Sequence, residues 1–178
     1  VDKGFAYQPG ATVADTVRAL AKKLDSLPRE VSIDAIQSWV NASVFAHWMA
    51  APEGSFPLVR LPDADAVAIG AKDGVRVAHL SAETAMKQMR AHPEIAPEEY
   101  ALAQQVVDEA TARVIETQAT GTRDMIYVLD QGDGGHVLIV KATVQGDALY
   151  VKTFYRLRRS QAARDREIRR LLKKEEKK

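Results

Sequence analysis

The residues of this chain best suited to chemistry are cations and aromatics set among β-forming neighbours. Lys141 interrupts the apolar run HVLIVKATV, and Tyr150, Lys152, Phe154 and Arg156 recur at every second position shortly after it. Thr143, Thr153 and Tyr155 lie in the same stretch. Ammonium and guanidinium groups hold phosphates, and aromatic rings stack unpaired bases at roughly 1–3 kcal/mol per base. Lysine, threonine and tyrosine also serve as ordinary residues of a solvated sheet face, so the pattern has two meanings. The groups that titrate near neutrality are four histidines. His92 stands before Pro93 at the end of a helical pattern, where it suits either acid–base work or a C-terminal cap. His79 precedes Ser81; it is a strand histidine that could face the same groove, and Ser81 suits the N-cap of the next helix. His136 and His47 have no evident partner. No His, Asp and Glu spacing resembles a metal cage, and no glycine loop has phosphate-cradling form, so neither a metal nor a cofactor is expected.

These side chains need a scaffold, and the composition supplies one. The 178 residues are 46% hydrophobic and 28% charged, the balance of an ordinary globular protein with one substantial core. No apolar run approaches the length of a membrane span and the start has no signal architecture, so the chain is expected to be soluble, with no membrane partner. The absence of cysteine excludes disulfides, thiolate metal sites and a cysteine nucleophile. The net charge of +1 conceals an uneven distribution, because arginine and lysine crowd the last 27 residues. The resulting positive field suits phosphate-bearing partners.

Helical periodicity predicts a helix over 12–27, capped by Thr12 and stopped by Pro28, after an irregular lead-in containing Gly4, Pro9 and Gly10. A second helix is expected from Ser32 or Asp34 to just before Pro52, with Ile36, Val40, Val44 and Trp48 on one stripe. The density of proline and glycine over 51–74 predicts an irregular connection there. A short strand is expected at 75–80, a helix at 82–91 and another helical stretch from Pro97 to Ala110. The period then changes from 3.6 to 2, which predicts strands at 113–118, 125–131, 136–145 and 148–157. Gly132 to Gly135 form one turn, and Gly146-Asp147 closes a hairpin. That hairpin pairs Val144 with Leu149, Ala142 with Val151, Val140 with Thr153 and Leu138 with Tyr155 on an apolar face. Lys141, Thr143, Tyr150, Lys152, Phe154 and Arg156 then share the second, basic face. A charged helix or tail is expected over 160–178, with few apolar anchors and an interaction segment as one of its readings.

Two stretches resemble a known family. The opening VDKGFAYQPG is similar to an element of phage Mu F-like minor head proteins, with Gln8 where asparagine is usual. The run VRVAHLSAETAMKQMRAHPEI, followed by HVLIVKATV and LYVKTFYRL, resembles the nuclease domains fused to such proteins, of the barnase-EndoU-colicin-RelE class. The resemblance implies an α+β fold of two helices on a roughly four-stranded antiparallel sheet over 75–159. Residues 1–50 would be a lead-in from the head protein, 51–74 a connection and 160–178 a charged tail, and the chain would be a piece of a longer one. The family motifs fall on Ser81, His92, Lys141, Thr143, Thr153, Phe154 and Arg156. The expected activity is a metal-independent ribonuclease of a phage, virion-associated or prophage-encoded, acting on host RNA in the bacterial cytoplasm. In that chemistry the ribose 2′-hydroxyl attacks the adjacent phosphate and leaves a 2′,3′-cyclic product. His92, or else His79, would move the proton, Lys141 and Arg156 would meet the phosphorane charge, Thr143 would donate a hydrogen bond, and Tyr150 or Tyr155 would hold a base. The competing expectation is a non-catalytic phage head or nucleic-acid-binding module, using the same basic residues on packaged DNA or on another head protein.

Overall fold

A computed structural model describes residue 17, residue 21, residues 23–41 and residues 43–176. Thr12, Leu20 and the expected lead-in lie outside these residues. Val17, Ala21, Lys23 and Leu24 are helical, and the chain turns before Pro28. Helices α1 (Arg29–Asn41) and α2 (Ser43–Ala50) follow. The first begins ahead of both expected caps, because the Pro28 carbonyl accepts the Ser32 N–H at 3.0 Å. Ser32 is thus a buried interior residue of the helix. Ile36, Trp39 and Val40 join Phe45, Trp48 and Met49 in the main core.

The segment 51–74 departs from expectation. It holds strand β1 (Ser55–Arg60) and helix α3 (Asp63–Ala68), and Phe56, Leu58 and Val59 are fully buried. The prolines that suggested an irregular segment sit where regular structure tolerates them. Pro57 lies on the outermost strand next to a register shift, and Pro62 caps α3 from outside. Strand β2 (Val77–Ser81) passes directly into helix α4 (Ala82–Ala91). The expected third helix divides into a 3-10 turn, Pro97–Leu102, and helix α5 (Ala103–Asp108). Strands β3 (Ala112–Thr117), β4 (Arg123–Asp130), β5 (Gly135–Ala142) and β6 (Leu149–Arg156) then form an antiparallel meander, and helix α6 (Gln161–Leu172) follows.

The product is an α+β fold with one open, mostly antiparallel six-stranded sheet in the order β1-β2-β6-β5-β4-β3. The meander matches the expected four strands, and β2 and β1 extend it. Among the described residues the one parallel pairing is the short one between β2 and β6, at Ala78 with Leu149 and His79 with Tyr150. The helices cover one face over a core running from Val17 to Phe154. The other face is not bare: α6 seals Val114, Ile126, Val128, Val137 and Ile139 beneath Leu171 and Ile168. The tail is therefore seated on the sheet. Its strongest anchor is Arg164, fully buried, which bonds Asp130 at 3.0 Å, the carbonyls of Arg158, Arg159 and Gly132, and Gln161. A guanidinium with its donors met this completely avoids the desolvation penalty of an unpaired buried charge.

The β5–β6 hairpin has a different register from the expected one. Its turn spans 143–148, with Thr143 N–H donating to Ala148 O at 3.0 Å, so Val144 is exposed rather than paired. Ala142 faces Leu149, Val140 faces Val151 and Leu138 faces Phe154, with a bulge that leaves Lys152 without a partner opposite. One additional residue reverses the alternation beyond it. Phe154 consequently enters the helix-covered core, fully buried, and is not on the basic face. At the other end of this turn Lys72 N–H donates to Gly146 O at 2.8 Å. Gly146 has φ +75, and a Cβ there would lie 2.1 Å from the Gly70 carbonyl oxygen.

Two buried glutamines complete the sheet edges. Outside β1, Gln104 accepts from Arg60 N–H at 2.8 Å and donates to Arg60 O at 2.9 Å. Beyond the end of β2, Gln88 donates to Phe154 O at 2.7 Å and accepts from Phe154 N–H at 3.3 Å. Each amide thus imitates a neighbouring strand for one residue and satisfies backbone groups that burial would otherwise strand. Gln104→Leu keeps the volume and leaves an N–H and a carbonyl of Arg60 unmet. It should lower the unfolding free energy by roughly 2–4 kcal/mol, read as a reduced urea midpoint at unchanged slope.

Candidate functional site

The sheet separates the expected site residues into two groups. In the first, His79, Tyr150, Lys141 and Asp124 lie side by side across β2, β6, β5 and β4. Asp124, absent from the sequence expectations, is nearly inaccessible and accepts from Lys152 Nζ and from Gln118 Nε2, both at 2.8 Å. Lys152 is thereby committed to an ion pair. Lys141 is exposed and makes no ion pair among the described residues. His79 is largely enclosed, and its Nδ1 has no hydrogen-bond partner. Burial pulls its pKa below the usual histidine value, against the opposing pull of Asp25. An enclosed imidazole of this kind is poorly placed to reach a substrate.

The second group gathers where α4 ends beside the end of β6. His92 is the C-cap of α4, its N–H donating to Gln88 O at 2.7 Å. Its ring stacks on Tyr155, with centroids 5.7 Å apart and planes 14° from parallel, and its Nδ1 lies 3.5 Å from the Glu94 carboxylate. The next residue, Arg156, donates Nε to Glu99 Oε2 at 2.8 Å, and Nη2 to Glu99 Oε1 at 2.5 Å and to Glu94 O at 3.3 Å. His136 approaches the same Glu99 Oε2 at 2.7 Å while its ring stacks on Phe154. The Arg156 hydrogen bond, followed by that of His136, holds the Glu99 carboxyl below the usual range against the opposing effect of burial. Glu99 is thus an anion fixed between the Arg156 guanidinium and the His136 ring, which makes it a weak proton acceptor. Tyr155 is pushed up to about 12 by burial and by Glu167, with Arg170 pulling the other way, so it stays a neutral phenol.

Lys141 and His92 do not meet. Tyr155, on which His92 stacks, pairs with Val137, and Lys141 is four residues further along β5, about 13 Å at strand spacing. The remaining expected residues have local partners. Ser81 caps α4, accepting from Thr84 N–H at 3.1 Å, and Thr143 donates to Asp147 at 2.6 Å inside the hairpin turn. Thr153 donates to Gln88 Oε1 at 2.9 Å. Of the expected set, His92, Tyr155 and Arg156 are brought together; His79, Lys141, Tyr150 and Lys152 form the other group. Glu94, Glu99 and His136 were missed. Their only sequence signal was acidic residues around Pro97 and a histidine directly after a turn, with nothing to link them.

No group of three or more His, Asp or Glu among the described residues could hold a metal ion, and no helix there is long and apolar enough to cross a membrane. The class of protein is defined by its architecture: an α+β fold with an open six-stranded sheet and helices on both faces. No protein-family model, curated protein or solved structure matches the chain.

The depressed Glu99 carboxyl has a definite sign. Its contribution to stability is present above the pKa of an unfolded glutamate and is lost as pH falls through the folded value. Glu99→Gln should therefore be less stable than wild type at neutral pH. The gap in denaturant midpoint should close as pH falls below about 4.

Proposed function

We propose that this protein is a ribonuclease whose reacting centre is His92 beside Arg156, and that it works without a metal ion. The carrying observation is the partly exposed imidazole of His92, stacked on Tyr155 with the Arg156 guanidinium on the adjacent residue. His92 takes the proton of a ribose 2′-hydroxyl. The 2′ oxygen bonds to phosphorus, the bond to the 5′ oxygen breaks, and that oxygen is protonated by water, leaving a 2′,3′-cyclic phosphate. Arg156 supplies positive charge to the phosphorane oxygens. Tyr155 acts as a positioning residue, since its ring sets the plane of His92. His79, Lys141, Tyr150, Lys152 and Thr143 lie outside this centre in the reading we adopt, and Ser81 has a capping role. The resemblance to nuclease domains of Mu F-like phage head proteins supports host RNA as the substrate and the bacterial cytoplasm as the place of action.

A second reading is a phage head or nucleic-acid-binding module that cleaves nothing. It is favoured by Glu99, which occupies two nitrogens of Arg156. Incubation of single-stranded RNA with the protein and EDTA separates the two. The ribonuclease predicts fragments with cyclic phosphate ends, a loss of roughly 10²-fold or more in rate for His92→Ala, and near-wild-type cleavage by Lys141→Ala. Intact RNA, or equal rates for His92→Ala and wild type, would end this assignment.

A further inference from the structure

The segment after β6 and helix α6 enclose an open cleft of about 410 Å³, lined by Arg158, Ala163, Arg166, Glu167 and Arg170. We infer that this cleft is a phosphate subsite, taking a phosphodiester of the same RNA strand next to the one that faces His92. The inference rests on the ribonuclease reading for the identity of the strand, and on the cleft itself for the phosphate.

The lining carries three guanidinium groups against one carboxylate, a surplus of two positive charges around one concavity. Arg166 and Arg170 are four residues apart on α6 and so share a face. Arg158 forms the facing wall. Glu167 holds that wall in place, accepting from the Arg158 N–H at 3.1 Å, while its other oxygen is 4.0 Å from Arg170. The carboxylate is enclosed and the Arg170 guanidinium exposed, so the cationic ends face outward to a ligand. Arginine is the side chain whose planar fork fits phosphate oxygens in pairs. The floor is fixed as well, because Arg164 locks the start of α6 to the β4–β5 turn.

Connection to the reacting centre comes through Tyr155. Glu167 raises and Arg170 lowers the pKa of its hydroxyl, and His92 stacks on its ring. A polymer with phosphates at regular intervals can engage both places at once, whereas a mononucleotide can engage only one.

The test is binding of a fluorescein-labelled oligouridylate, followed by anisotropy over a range of salt, alongside cleavage of the same oligomer. Arg166→Ala/Arg170→Ala should weaken binding and flatten the plot of log affinity against log salt by about 0.7 for each lost phosphate contact. Glu167→Gln should bind more tightly than wild type, a gain that misfolding cannot produce. Cleavage of a dinucleoside monophosphate, too short to span the cleft, should be unaffected by the double substitution. An unchanged affinity and salt slope in Arg166→Ala/Arg170→Ala would overturn the inference even if cleavage is found. A reduced slope with no cleavage by wild type would uphold the cleft while removing the ribonuclease. Binding of a glutamate-rich peptide in place of the oligomer would overturn it in favour of a protein partner.

Discussion

The pairing of the Gln88 amide with the backbone of Phe154 is the contact on which the arrangement of this molecule turns. β2 supports β6 for only two residues and then becomes α4, so the second half of β6 would be left with an unfinished edge. Gln88 meets that edge, and its amide also reaches the Tyr100 hydroxyl at 3.1 Å and the Thr153 hydroxyl. A strand, a helix and the 3-10 turn are thereby tied at one buried point. His92 lies one turn beyond Gln88 on the same helix, and Glu99 is the neighbour of Tyr100. The candidate centre therefore inherits its geometry from a glutamine that takes no part in the chemistry proposed for it.

Charge is partitioned along the sheet in a way that formal net charge conceals. At one end, Lys152 is neutralised by a buried aspartate, and at the other Arg156 and His136 converge on Glu99. Buried cations serve as fasteners: Arg60 bonds the carbonyls of Leu24 and Leu27 and the Ser32 hydroxyl, and Arg164 secures α6. Arg166 and Arg170, exposed on α6, line the cleft together with Arg158 from the segment before that helix.

The meander was legible in the sequence because each of its strands has several β-branched residues between glycine-bearing turns. Ser81 was legible as a cap because the polar-to-helical transition at that point is local. Strand β1 was hidden by Pro57, since a proline rules out a central strand but not an outermost one with a bulge. The β5–β6 register was misjudged because the alternation was assumed to run unbroken. Two successive polar residues, Lys152 and Thr153, between the apolar Val151 and Phe154 are the trace of the bulge in the sequence, and they shift Phe154 to the opposite face. The grouping of Glu99, His136 and Arg156 left no trace at all, because it joins residues 37 and 57 positions apart through a 3-10 turn whose docking depends on the whole core.

The contact between Gly146 and Gly70 governs where this scaffold tolerates remodelling. With Gly146 O held by Lys72 and no room for even one methyl group, the hairpin loop and the segment after α3 form a weld, and neither can be lengthened without parting the other. The turn at Gly121 has open space around it and carries no such bond to a distant segment. Grafted peptides, epitopes or circularly permuted termini would accordingly be accommodated between β3 and β4 and rejected between β5 and β6.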